Sequence, residues 1–229
     1  MNYQMETILR DKGYRRYNSQ ENPNSRVFVV NTEESNIKYI ARDNLFLDKM
    51  FIELIENYDF DIDNAAIYYI FDRDSKSNTD ASFIRNMLSV LTNSRDNQFD
   101  RQGMLLLSYP SIEAFTLSNF KEKSFDSRFD TGEKLKKYLH DNKINHSRIS
   151  EQTLKHATME LIDVMKQLNL GRLNIDFFGE NNIKIFDYEE EIYNCESAYR
   201  IVSLLCISLI DLGIISIEKA EAEGFISPS

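Results

Sequence analysis

The sequence predicts an α/β protein: a parallel sheet flanked by helices, then a mostly helical C-terminal half carrying a β-hairpin. Three observations support this. Continuous apolar runs at residues 26–30 (RVFVV), 66–71 (AIYYIF) and 104–108 (MLLLS) read as strands buried on both faces. Stretches with apolar residues at helical spacing lie between them. Strand and helix therefore alternate, which is the pattern of a parallel sheet with crossover helices.

In chain order, residues 2–12 suit a short helix, and polar residues 18–25, with Pro23, suit a loop. Residues 45–58 place Leu47, Met50, Phe51, Leu54, Ile55 and Tyr58 at helical spacing. Asp80 suits the N-cap of a helix whose core face is Phe83, Ile84, Met87, Leu88 and Leu91. Residues 98–101 are a polar loop before the third strand. Tyr109-Pro110-Ser111 then turns the chain into a helix over 112–120. Beyond this the character changes. Residues 132–142 and 150–169 predict helices, 173–178 and 182–187 alternate about Gly179 as a β-hairpin, and 190–212 predicts one long helix. The expected division is an α/β domain over residues 1–125 and a mainly helical region over 126–229 packed on it.

Composition narrows the function classes. The 229 residues are 42% hydrophobic and include 15 Phe and 12 Tyr, enough for a substantial core. The formal net charge of -10 argues against non-specific coating of nucleic acid, which needs a basic surface. It leaves room for a nuclease whose phosphate is held by metal ions and a local basic patch. Cys195 and Cys206 match neither a disulfide framework nor a zinc knuckle, which suits a reducing compartment. Residues 1–30 are polar and charged rather than a leader sequence, and the apolar run 201–215 is shorter than the roughly 20 residues a bilayer needs. The expectation is a cytoplasmic protein with no membrane association. With seven glycines and no GxxxxGK motif, the chain is not itself a P-loop ATPase.

The chemistry concentrates in residues 67–78, IYYIFDRDSKSN. The apolar strand ends in Asp72-Arg73-Asp74. Strand side chains alternate, so Asp72 and Asp74 share a face at the carboxyl end, where open α/β sheets bind ligands. Two adjacent carboxylates repel unless a positive charge lies between them. A hard divalent cation such as Mg2+ fits oxygen ligands. Equally, Asp-rich segments after strands serve as turn and cap signals. The third strand runs into Tyr109-Pro110-Ser111-Ile112-Glu113-Ala114-Phe115, where Ser111 suits an N-cap and Glu113 falls in the first turn of the next helix. If the two strands are parallel neighbours, Glu113 and the Asp pair emerge on one edge as a cation site. Two weaker features carry basic charge. Tyr14-Arg15-Arg16-Tyr17 mixes basic and aromatic residues, and Lys134, Lys136 and Lys137 cluster on an expected helix; both suit nucleic-acid contact or an ordinary solvated surface.

The segments YIFDRDSKSN and LLLSYPSIEAFTLSNF together resemble the Toprim fold of RloB-like and AbiLii-like phage-defence proteins, of the Toprim subunit of PARIS-type systems and of the nuclease half of OLD-family proteins. The resemblance covers roughly residues 26–125. It implies a divalent-metal-dependent nuclease, with Asp72, Asp74 and Glu113 as ligands for Mg2+ or Mn2+ and a nucleic acid (DNA or tRNA) as substrate. It also implies an anti-phage abortive-infection role, an ABC-type ATPase partner and a homodimer. The family's first strand runs into Glu-Gly with a glutamate that ligates metal or acts as acid/base. Here that strand continues as Asn31-Thr32-Glu33-Glu34 without the glycine, so Glu33 or Glu34 takes the place from a longer turn. If neither does, the alternative is a catalytically degenerate Toprim-like module that docks on a partner ATPase.

Overall fold

The computed structural model describes residues 3–9 as backbone, and residues 14–20, 26–32, 34–41, 44–95 and 103–216. The chain forms two compact units, Met1–Asp63 and Asn64–Ser229. The change in character near residue 125 falls inside the second unit, where the surrounding helices share one core.

The first unit is an antiparallel sheet of β1 (Tyr3–Leu9), β2 (Tyr14–Ser19) and β3 (Arg26–Val30), followed by a 3-10 turn at Ile37–Ile40 and α1 (Phe46–Tyr58). Helix α1 buries Leu47, Met50 and Leu54, in line with its sequence spacing. Within this unit the Phe60 ring meets Phe28 edge-on at 5.1 Å and stacks on Phe51 at 6.1 Å. Two expectations are corrected here. Residues 3–9 are a strand rather than a helix, and their sequence YQMETIL does carry the polar/apolar alternation of a strand at Gln4, Met5 and Glu6. The run RVFVV pairs antiparallel with β2 and does not join a parallel sheet. Antiparallel strands need no long crossover connection, so β3 finds its partner in the segment just before it.

The second unit is built on β4 (Tyr68–Asp72) and β6 (Gly103–Tyr109), which run parallel with Asp72 opposite Ser108. The crossover between them is α2 (Ala81–Val90), capped by Asp80, whose Oδ1 accepts the Phe83 N–H at 2.9 Å. Every residue of β6 is buried, as its apolar run predicts. The short strands β5 (Thr92–Asn93) and β9 (Val202–Ser203) pair antiparallel with β6 and make the sheet mixed. After β6 come α3 (Glu113–Ser118), β7 (Arg128–Phe129), α4 (Gly132–Asp141) and α5 (Glu151–Gln167). Ala114 and Leu117 of α3 share a buried cluster with Leu135 and Leu139 of α4 and with Ile201.

The expected hairpin about Gly179 is replaced by α6 (Phe178–Glu196), which packs on α2. Phe178, Asn182, Ile185, Phe186 and Glu189 form its buried face at helical spacing. Gly179 is required for close approach rather than for a turn: a Cβ there would lie 2.7 Å from the Thr92 Cβ. The long helix expected over 190–212 is also interrupted. Helix α6 stops at Ser197, whose φ is 55, and the chain forms β8 (Tyr199–Arg200) and β9 before α7 (Leu205–Asp211). Sheet partners win at this point: β8 pairs with β7, and β9 pairs with the end of β6. Among the described residues no helix is long and apolar enough to cross a membrane.

Candidate functional site

The carboxyl ends of β4 and β6 bring Asp72 and Glu113 to one edge, with Asp74 in the turn that follows β4. The ladder continues one step past Asp72, since the Arg73 N–H donates to the Ser108 carbonyl at 2.9 Å. Asp72 Oδ1 accepts the Ile112 N–H at 2.7 Å, so the end of the first strand is tied to the turn leaving the second. The next turn is held by its own side chains. Asp74 Oδ1 accepts the Lys76 N–H at 3.0 Å, and Asn78 Nδ2 donates to the Asp72 carbonyl at 3.0 Å. The Asp74 bond is an Asx turn, the turn role that an aspartate after a strand commonly takes.

Glu113 opens α3 from the other strand. Ser111 does not cap that helix with its side chain; its hydroxyl donates to Glu113 Oε2 at 2.7 Å. Glu113 Oε1 lies 3.3 Å from the Lys136 ammonium of α4. Position 132 sets this arrangement from behind: a Cβ on Gly132 would come within 2.8 Å of the Ser111 side chain. Asp72 titrates above its ordinary range. Burial is the main cause, the Ile112 N–H opposes it, Glu113 and Asp74 add to it, and Lys136 offsets part. Two carboxylates, Glu113 and Asp74, and one ammonium, Lys136, thus lie within electrostatic reach of Asp72.

Arg73, between the two aspartates in sequence, turns into the protein, and its side chain is 3% exposed. Its Nε and Nη2 each donate to a Glu190 oxygen at 2.7 Å, and Nη1 donates to the Asn78 carbonyl at 2.8 Å. The guanidinium also lies over the rings of Phe186 and Tyr199. One side chain thereby fixes the strand end, the turn and α6 relative to one another. Behind it Glu189 is fully buried, accepts the Arg200 N–H at 2.9 Å, and is pushed up by burial to about 8.

Beside Glu113 lies a cleft of about 530 Å³ between α3, α4 and residues 144–149. Its walls include Phe115, Leu139, Ile144 and Ile149, and its rim carries Lys136, His140 and His146.

Of the predicted residues, Asp72, Asp74 and Glu113 stand at this edge. Glu34 belongs to the first unit, where it is half-buried and its N–H donates to Thr32 Oγ1 at 3.4 Å. Glu33 lies outside the described residues. Among the described residues no three His, Cys, Asp or Glu side chains gather closely enough to hold a metal ion as they stand. Sequence reasoning missed the Arg73–Glu190 clamp. Arg73 offered one signal, a charged residue at an inward position of a buried strand. Compared with known protein families, curated proteins and solved structures, the chain matches none.

Proposed function

We propose that the chain is a divalent-cation-dependent nuclease of Toprim type that cleaves DNA or tRNA as the effector of an anti-phage abortive-infection system. The observation that carries this reading is the parallel pairing of β4 and β6, which sets Asp72 opposite Ser108 and ties it to the turn bearing Glu113. Carboxylates on the carboxyl edge of a parallel pair stand where α/β sheets bind ligands.

The donor set suits a hard cation in kind. It is all oxygen; Asp72 is raised chiefly by burial, and Glu113 and Asp74 add to that shift. Asp72, Asp74 and Glu113 would hold Mg2+ or Mn2+, with Lys136 withdrawing from Glu113. When bound, the ion supplies Lewis-acid polarisation of a phosphate oxygen and neutralises charge that develops in the transition state. The chain's own groups do the rest. Ile112 and Ser111 fix the orientations of Asp72 and Glu113. Lys136, once free of Glu113, pairs with a phosphate of the substrate as a point charge.

One observation favours a second reading, a catalytically degenerate module that docks on a partner ATPase. Both Glu113 oxygens are already engaged, one by Ser111 and one by Lys136, so the ammonium serves as the counter-charge. Calorimetric titration of Mn2+ into the wild type and Asp72→Ala separates the two. Binding that is lost in the variant, followed by Mn2+-dependent cutting of single-stranded DNA or tRNA, supports the nuclease. No binding by the wild type supports the docking module.

A further inference from the structure

We infer that the cleft beside Glu113 is a pocket for one unpaired nucleotide of a nucleic-acid strand, an inference that rests on the carboxylate edge being a phosphodiester-cleaving site. It is an open cleft of about 530 Å³ rather than an enclosed cavity, so a bound group would keep one side in solvent. The lining is divided in the way a nucleotide is divided. Of the apolar lining, Phe115 and Leu139 are buried and Ile144 and Ile149 half-buried, so the two isoleucines offer a wall for a base, whereas Lys136 stands at the end next to Glu113, where a phosphate would meet the carboxylate edge. His140 and His146 on the rim are exposed; they offer flat rings for stacking and nitrogens for hydrogen bonds to a base edge.

The charge balance points the same way. A chain of net charge -10 cannot rely on a broad basic surface to hold a duplex through its phosphates. Local contacts must then supply recognition, and this cleft offers one of them: a place for a base with one ammonium beside it. A base in a duplex is paired and stacked and cannot enter such a cleft, whereas a base in a loop, a bulge or a frayed end can. The substrate class is therefore a strand with an unpaired nucleotide next to the bond that is cut.

The test uses the full chain in EDTA, titrated calorimetrically with each of the four ribonucleoside 5′-monophosphates and with inorganic phosphate. At least one monophosphate is expected to bind about tenfold more tightly than phosphate, and Ile149→Arg, which fills the cleft, to weaken it by about the same factor with thermal unfolding unchanged. Monophosphates that bind no better than phosphate, or that bind Ile149→Arg as well as wild type, overturn the pocket. Should Ile149→Arg unfold, His146→Ala on the exposed rim replaces it, and wild-type affinity in that variant overturns the pocket equally. Cleavage is scored separately. A monophosphate that binds to a chain unable to cut sinks the nuclease reading alone, while Mn2+-dependent cutting without nucleotide binding sinks the pocket alone.

Discussion

The Ile112 N–H donates to Asp72 Oδ1 at 2.7 Å across 40 positions of sequence. This one bond joins the two segments that carry the candidate chemistry. It occupies one oxygen of Asp72. It also compensates only part of the cost of burying the carboxylate, which burial, Glu113 and Asp74 together raise above its ordinary value.

Asp72→Asn separates folding from function. Asparagine keeps an oxygen for the Ile112 N–H and removes the charge. A carboxyl with a raised folded value contributes stability that is present below its unfolded value and is lost as pH rises through the folded one. At neutral pH the charged form is therefore the costly one. The variant is expected to unfold at the wild-type temperature or above it, while Mn2+ affinity falls by about tenfold or more. Thermal melts and calorimetry check both parts. A clear loss of stability would mean that the aspartate is structural, and an unchanged Mn2+ affinity would remove it from the cation site.

Lys136→Ala tests whether the ammonium occupies the position of a cation. The Lys136 side chain is 66% exposed and the Glu113 side chain 18%, so losing this ion pair should change stability by less than about 0.5 kcal/mol. Mn2+ affinity should rise by about fivefold, equivalent to ~1 kcal/mol of removed repulsion. If the variant binds Mn2+ more weakly, or neither protein binds it, Lys136 is a resident counter-charge and the docking module gains.

Arg73→Ala should destabilise the Asn64–Ser229 unit by about 3–5 kcal/mol, because it strands the Glu190 carboxylate beside a buried aromatic wall. Replacing both partners, as Arg73→Met with Glu190→Met, should recover much of that loss. Urea unfolding of the single and double variants measures it. A single variant within about 1 kcal/mol of wild type would show that the clamp is not what fixes the strand end.

The parts of this fold legible in the sequence are those where local pattern and tertiary demand agree. The strands at 68–72 and 103–109, the crossover helix capped by Asp80 and the helices α4 and α5 follow directly from apolar period and cap residues. The failures are equally specific. Residues 173–187 look alternating because Leu173, Ile175 and Phe177, and then Ile183 and Ile185, are spaced by polar residues, yet the burial of Phe178, Asn182, Ile185, Phe186 and Glu189 follows a helical face. Tyr199 and Val202 read as helix because they sit in an apolar stretch, but edge pairing with β7 and β6 takes them. RVFVV reads as a buried parallel strand because no local pattern announces which neighbour it will pair with. That Asp72 and Glu113 leave neighbouring strand ends on one edge could be anticipated from the strand ends alone. Lys136 at Glu113 and the clamp at Arg73 could not, since both depend on helices from the far end of the chain.

Glu189 supplies a pH dependence of sign opposite to the usual carboxylate. It is fully buried on α6 beside Arg200 and Glu190, and it titrates at about 8 against an ordinary 4.5, chiefly through burial. The folded state therefore holds a proton that the unfolded state releases anywhere between those two values. Stability from this group is complete below about 4.5 and is lost as pH rises toward and through about 8. The thermal midpoint of the wild type should fall over that window, with the Tyr109 and Tyr199 hydroxyls, both raised by burial, remaining protonated throughout. Glu189→Gln keeps an oxygen for the Arg200 N–H and carries no titrating proton, so its midpoint should stay nearly level between pH 5 and 8. Differential scanning calorimetry across that range decides it: a wild-type midpoint that does not fall, or a slope that persists in Glu189→Gln, would show that the buried glutamate is ionised and balanced by Arg200.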